Sequence, residues 1–288
     1  MRPTVTTDGE LQSADAYCTM LAQRHYENFS VASRLVPAPL RLQLARVYAY
    51  CRTTDDLGDE SGSRESARVR LARWRDEVTQ LFAGEPPVHP VLISLSRTIA
   101  AYQMEAQPFL DLIAANAQDQ DVTSYETWND LIAYCRNSAA PVGRMVLEVF
   151  SISSNDTKPL SDDVCIGLQL ANFAQDVARD GALGRTYLVQ ADIREHGTHG
   201  AVRIMVDRAR ELLSSGRALE RMAPGGLRLQ LALYRLGGMA ICDAIARIGY
   251  RTDVERPTVT RSVKAALVVR AILESLQRAR DQRETEPA

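Results

Sequence analysis

The sequence predicts an all-α protein. Apolar residues recur three and four apart along most of its 288 residues, proline, serine and glycine fall where helices start and stop, and no alternating strand-like run is followed by a hairpin turn. Ser13 is the expected cap of a first helix running to about Glu27, with residues 1–13 and 284–288 as flexible ends. Pro37 and Pro39 suit the first turn of a second helix, which carries Leu40, Leu44, Val47, Tyr48 and Cys51 and ends in acids. Ser63 starts a charged amphipathic helix to about Phe82; Pro86, Pro87 and Pro90 then break the chain before helices near 91–103 and 108–117. Ser124 is the expected cap of the next helix, which holds Trp128, Leu131, Ile132 and Cys135 and is kinked by Pro141 before Val142, Met145 and Val149. Ser161, with Asp162 and Asp163 behind it, predicts a helix start at the positive end of the dipole, running to Asp180 and stopped by Gly181 and Gly184. Helices near 202–214, 227–250 and 258–283 complete the chain, and with no internal repeat or low-complexity linker the expectation is one domain over 1–288.

Composition removes several classes of function. Hydrophobic residues at 45% and charged residues at 24% fit a globular chain, and a net charge of -2 offers no basic footprint for nucleic acid. The five cysteines are widely spaced without a Cys-x-x-Cys pair, which argues against a disulfide framework or a structural zinc site and for a reducing, cytoplasmic location. The polar start lacks the apolar stretch of a secretory signal, and no apolar run reaches the roughly 18 residues of a membrane span, so any membrane role is expected to be peripheral.

Two acidic stretches carry the chemistry: Tyr48-Ala-Tyr-Cys-Arg52-Thr-Thr-Asp55-Asp56-Leu-Gly-Asp59-Glu60 and Gln169-Leu-Ala-Asn172-Phe-Ala-Gln175-Asp176-Val-Ala-Arg-Asp180. Helical residues four apart share a face, about 5–6 Å between Cβ atoms, so each Asp-x-x-x-Asp projects two carboxylates in one direction. Without a cation between them they repel and oppose their own helix. Carboxylate oxygens used singly, with phosphate oxygens and water, are the set magnesium prefers, and metal ions bridging such acids to a diphosphate would neutralise it as a leaving group. The carbocation left behind needs a dry, apolar pocket. Taken singly, either motif also reads as a solvated face in a chain with 36 acids.

At these stretches the chain resembles the squalene/phytoene synthase family. The resemblance extends to His25-Tyr-Glu-Asn-Phe29-Ser-Val-Ala-Ser33-Arg34-Leu-Val-Pro37, Tyr134-Cys-Arg-Asn-Ser-Ala-Ala-Pro141-Val-Gly143 and Gly184-Arg185-Thr-Tyr187-Leu188, and it leans toward the hydroxysqualene synthase branch of bacterial hopanoid pathways. It implies a single-domain isoprenoid synthase helical bundle with a central apolar cavity and the two Asp motifs across its mouth. Asp55, Asp59, Asp176 and Asp180 match magnesium positions, and Arg52 and Arg185 match diphosphate positions, a role that suits guanidinium geometry. Gln169 and Asn172 match polar residues before the second motif, Tyr48, Tyr134 and Tyr187 match aromatic hydroxyls that relay a proton or stabilise a cation, and Phe29 matches a pocket wall. Ala174 stands in the expected pocket where that branch commonly carries tryptophan, and Leu188-Val189-Gln-Ala191-Asp192 replaces its usual Leu-Pro-x-Glu-Asp.

The reaction this implies is magnesium-assisted ionisation of presqualene diphosphate and capture by water to give hydroxysqualene, with several Mg2+ ions and no need for NADPH. The alternatives are condensation of two farnesyl diphosphates, prenyl transfer to another acceptor, or a non-enzymatic lipid-binding scaffold. Asp176, Asp180, Asn172 and Gln175 have no evident structural need, which weighs against the scaffold. The partner expected is a prenyl diphosphate, with no nucleic acid; Arg261, Lys264, Arg270, Arg278 and Arg280 on the last helix suggest peripheral contact with an anionic membrane face, against the alternative of a solvated basic side. Nothing in the sequence sets an oligomeric state.

Overall fold

The computed structural model describes residues 7–24 and 36–285, with side chains described as far as Ser275. Phe29, His25 and the rest of the 25–35 stretch lie outside the described residues, as do the side chains of Arg278 and Arg280. Among the described residues the chain is twelve α-helices and no strand: α1 Asp8–Arg24, α2 Ala38–Asp59, α3 Arg64–Phe82, α4 Pro90–Tyr102, α5 Gln107–Gln118, α6 Trp128–Ser138, α7 Ala140–Val149, α8 Thr157–Gln175, α9 Val177–Ala182, α10 Gln190–Met222, α11 Gly225–Arg247 and α12 Arg261–Thr285. The all-α expectation holds.

Helix starts show which local signals govern. Pro37 precedes α2 with proline in its first turn, and the Ser63 hydroxyl accepts the Ser66 N–H to start α3, both as expected. α1 begins earlier than expected. Thr7 Oγ1 accepts the Glu10 N–H at 3.3 Å while the Glu10 carboxylate accepts the Thr7 N–H at 2.8 Å, a reciprocal capping box that makes residues 8–13 helical. Ser13 is inside that helix, donating to Gly9 O. The start of α6 likewise belongs to Thr127 with Asp130, not to Ser124, and α8 starts at Thr157 through mutual bonds with Ser154, leaving Ser161 buried within it. Pro141 separates α6 from α7 outright. The helix expected to reach Asp180 stops at Gln175; Asp176 leaves helical geometry at φ -102°, ψ 19°, and α9 follows. α10 is two helical segments joined at Gly197, whose φ of 69° only glycine adopts without strain.

The chain divides into two compact units, each drawn from two stretches of sequence: α1–α5 with α7 make one, and α6 with α8–α12 the other. The first packs around α2. Tyr50, fully buried, stacks on Trp74 and meets Phe109 edge-on, and its hydroxyl donates to Phe109 O at 2.8 Å while Trp74 Nε1 donates to Thr54 Oγ1 at 3.0 Å. Each such satisfied hydrogen bond contributes about 1 kcal/mol net, and orphaning one costs more. Arg46 ties α2 to α1 and α4 through Asp15 and Ser94.

The second unit depends on close helix approach. Gly167 of α8 lies where a Cβ would meet Ala209 O at 3.1 Å and Leu213 Cγ at 3.0 Å, so α8 and α10 approach as only glycine permits. Arg235 of α11, 2% exposed, is held by Glu220 of α10 at 2.5 Å and Glu274 of α12 at 2.6 Å, which satisfies the buried charge and fastens the last helix. α11 is long and apolar enough to cross a membrane by length and composition, with mean hydropathy 1.2, contrary to the expectation from runs alone; 56% of that window is buried inside the protein, as in a core helix. Arg261, Lys264 and Arg270 are exposed on α12.

Candidate active site

In the first unit, Tyr48, Arg52, Asp55 and Asp59 follow one another at four-, three- and four-residue steps on α2, so a single helical face presents them at its C-terminal end. Asp55 Oδ1 accepts an N–H of the Asn116 amide from α5 at 3.2 Å; the same Nδ2 donates to Leu112 O at 3.0 Å. Gln120, one turn on, donates to both Asn116 O and Gly58 O, binding α5 to the motif. Gly58 leaves room for this, since a Cβ there would lie 3.0 Å from Asn116 Oδ1. Withdrawal from water raises the Asp55 carboxyl to about 6; the Asn116 bond and Arg52 oppose this and Asp59 and Asp56 add to it. Burial also raises the Tyr48 hydroxyl.

Arg52 is committed elsewhere. Its Nη2 lies 2.5 Å from Asp56 and 3.3 Å from Glu60, while its buried Nε has no acceptor. An orphaned N–H beside two acids suits a ligand with anionic oxygens to spare.

In the second unit the motif straddles the break after α8. The turn persists in the backbone, with Asp180 N–H donating to Asp176 O at 2.8 Å and Arg185 N–H to Asp180 O at 2.9 Å, so Arg185 is folded back onto the second acid. Burial raises the Asp180 carboxyl to about 6 and Asp176 pushes the same way, against Arg179 and Arg185. Asp176 is taken by Arg256: Nε donates to Oδ1 and Nη2 to Oδ2 at 3.2 Å.

Next to this motif is an aromatic cluster. Phe173 and Tyr187 stack at 3.9 Å between centroids and are nearly parallel, and Tyr134 and Tyr125 pack on Tyr187 at 5.9 and 6.0 Å. Ring faces of this kind attract cations. Of the other predicted residues here, Asn172 is exposed, Gln169 is half-buried, and Ala174, expected in a pocket wall, is 0% exposed and so opens onto no space. A groove of about 390 Å³ in this unit, lined by Ile132, Arg136, Ile166 and Arg208 among others, contains none of the predicted residues.

Several participants were missed by sequence reasoning. Asn116 and Arg256 reach their aspartates from 61 and 80 residues away, a distance no local pattern spans, and Tyr125 has no motif around it. Gln175 corrects an earlier expectation. Its amide donates to Pro257 O at 2.7 Å and it is 7% exposed, so it has a clear structural use.

Among the described residues no three His, Cys, Asp or Glu side chains gather as a complete metal-binding group. Magnesium needs no such group when a substrate diphosphate brings its own oxygens, since one or two carboxylates then suffice. Two acid pairs, each with one member raised to about 6 by burial and its neighbour, are donors of that kind.

The fold and these residues define a class: an all-α protein with an acid pair and an arginine in each unit and an aromatic stack in the second. Residues 22–263 match the squalene/phytoene synthase family, and the chain belongs to it. It is 32% identical over 230 residues to hydroxysqualene synthase of Zymomonas mobilis, covering 79% of this chain and 74% of that one. It is 30% identical over 197 residues to 15-cis-phytoene synthase of Synechococcus elongatus, covering 64% of this chain and spanning 64% of that relative's length. Among solved structures it is similar to squalene synthase HpnC of Alicyclobacillus acidocaldarius, with 43% identity, TM-score 0.79, and coverage of 85% of this chain and 97% of that one. A dehydrosqualene synthase structure shares the fold at 22% identity and TM-score 0.83, covering 92% and 98%.

Proposed function

We propose that this protein ionises a prenyl diphosphate with magnesium held by Asp55, Asp59, Asp176 and Asp180, and that its preferred reaction is presqualene diphosphate to hydroxysqualene with water as the final nucleophile. The observation that carries this is the state of Asp55 and Asp180. Each is raised to about 6 with burial as the larger cause and its motif partner adding to it; Asp55 accepts a neutral amide from Asn116, and at the second pair Arg256 already brings a positive charge to Asp176. Similarity to the Zymomonas mobilis hydroxysqualene synthase supports the substrate.

Bound there, magnesium would supply positive charge to the diphosphate as the carbon–oxygen bond breaks. The chain's own residues do the rest. Arg52 offers its orphaned Nε to anionic oxygens, and Arg185, whose charge acts on Asp180, adds a guanidinium at the second motif. Asn116 holds the Asp55 carboxylate in one orientation. Tyr187, the one partly exposed ring of the stack it forms with Phe173, Tyr134 and Tyr125, is the ring placed to meet a carbocation. Tyr48, whose hydroxyl burial keeps protonated, is the candidate proton carrier on the first motif. A cytoplasmic setting with product passing to a membrane face fits a water-insoluble product.

A second reading, condensation of two prenyl diphosphates, is favoured by the 32% identity over 164 residues to presqualene diphosphate synthase of Rhodopseudomonas palustris, covering 56% of this chain and 57% of that one. Incubation of the purified protein with presqualene diphosphate and Mg2+, with and without NADPH, separates the readings. Hydroxysqualene formed equally in both supports the proposal. Squalene formed only with NADPH contradicts it, and presqualene diphosphate accumulating from farnesyl diphosphate alone selects condensation.

A further inference from the structure

The two aspartate pairs differ in what occupies them. Asp55 takes a neutral amide from Asn116, and the nearby Arg52 is engaged by Asp56 and Glu60. Asp176 takes a full positive charge, its two carboxylate oxygens matched by Nε and Nη2 of Arg256 in the fork geometry that guanidinium makes with carboxylates.

This pair is built in by its surroundings. The segment after α11 is clasped on both sides of Arg256: Thr252 O accepts the Ala178 N–H at 3.2 Å, and Pro257 O accepts the Gln175 amide at 2.7 Å. Thr252 and Pro257 are buried, and His199 of α10 meets Asp253 at 3.0 Å. Gln175 Oε1 also accepts from Arg256 Nη2 at 3.4 Å. The Arg256 side chain is 48% exposed and that of Asp176 only 17%, so the cation can leave toward solvent while the carboxylate stays in place.

We propose that Arg256 is the resident counter-ion of the second aspartate pair, keeping divalent cations off Asp176 until an anionic diphosphate draws the guanidinium away, so that the first pair binds metal alone and the second only with diphosphate. The charge logic is direct. A divalent ion approaching Asp176 meets a fixed positive charge already bonded to both oxygens, whereas phosphate oxygens compete for that same guanidinium and free the carboxylate as they arrive. Arg256 is thus a positioning residue acting through Asp176. This rests on the metal role given to the aspartates under the proposed function.

The test is an EPR titration of full-length protein with Mn2+, with and without inorganic diphosphate, on wild type, Arg256→Gln, Arg256→Lys, Asp55→Asn and Asp176→Asn, each first checked to be folded by a cooperative melting curve well above the titration temperature. Without diphosphate, bound Mn2+ in the wild type is expected to fall at least ten-fold in affinity in Asp55→Asn and to be unmoved in Asp176→Asn; with diphosphate, Asp176→Asn loses one bound ion. Arg256→Gln is expected to bind the second ion without diphosphate, at least ten-fold tighter than wild type, and Arg256→Lys to restore the diphosphate requirement. A wild type that loses Mn2+ equally in both aspartate variants without diphosphate overturns the proposal, as does an Arg256→Gln titration matching wild type. Mn2+ binding indifferent to both aspartate substitutions even with diphosphate removes the metal role itself, and is told apart by that insensitivity.

Discussion

The two aspartate pairs have the same spelling and opposite settings. Asp55 sits on an unbroken helix, steadied by an amide from a neighbouring helix and by a glycine that admits it; Asp176 sits at a break between helices, neutralised by an arginine from a clasped segment. The difference teaches that an Asp-x-x-x-Asp on a helix is half a device. Its partner decides whether the acid is held ready or held shut, and that partner comes from elsewhere in the chain.

Removing either first acid is the largest perturbation. Asp55→Asn and Asp176→Asn are each expected to reduce turnover by about 100-fold or more, the scale of losing one preorganised electrostatic group. Their effects on stability should diverge in a small but telling way. Asp55→Asn relieves repulsion from Asp59, while Asp176→Asn leaves Arg256 without its carboxylate; because that side chain is half-exposed and resolvates, the variant's melting temperature should fall only slightly. Turnover unchanged in both variants, measured by product formation from presqualene diphosphate, removes the catalytic role of the aspartates, and no product from the wild type either favours a lipid-binding scaffold instead.

Asn116→Ala comes next and sharpens the same contrast. It frees the Asp55 carboxylate without touching a charge, so metal affinity at the first pair should drop about 10-fold, within the range seen when supporting groups around metal ligands are removed. Asn116→Ala that titrates with Mn2+ like wild type removes the distinction drawn for the first pair.

The smallest effect concerns pH. Asp55 and Asp180 are raised from 3.8 to about 6, so in that window the folded protein binds protons that the unfolded chain releases. Stability contributed by these protons is full below the unfolded value and is lost as pH rises through the folded value. Metal-free protein should therefore melt slightly lower at about pH 7 than at about pH 5 on account of these groups, and Mg2+ should stabilise it more at the higher pH, where no proton has to leave first. Differential scanning calorimetry with and without EDTA reads both; a Mg2+ effect that is larger at the lower pH contradicts the assignment.

What was legible in the sequence was whatever a short stretch of helix determines. Pro37, Ser63 and Pro141 marked boundaries by their own backbone chemistry, and the four aspartates stood out through spacing alone. Where two capping residues competed, the reciprocal pair won over the lone serine: Thr7 with Glu10 over Ser13, and Thr127 with Asp130 over Ser124. The break at Asp176 was invisible because no glycine or proline lies between Gln175 and Asp180; the fold imposes it, with the Ala178 N–H drawn to Thr252 O. Asn116 and Arg256 were invisible for a deeper reason. Their roles exist only once helices distant in sequence are brought together, and an asparagine in an apolar helix or an arginine before a proline has no signature by itself.

The central claim, drawn from the proposed function, is that magnesium and diphosphate bind through both acid pairs. Its most direct test is calorimetric binding of inorganic diphosphate in the presence of Mg2+ to wild type, Asp55→Asn, Asp176→Asn and the double variant. Pairs that share metal and diphosphate should show strongly non-additive losses, with a coupling of about 1 kcal/mol or more. Losses that simply add would place the two motifs on separate ligands and contradict the account.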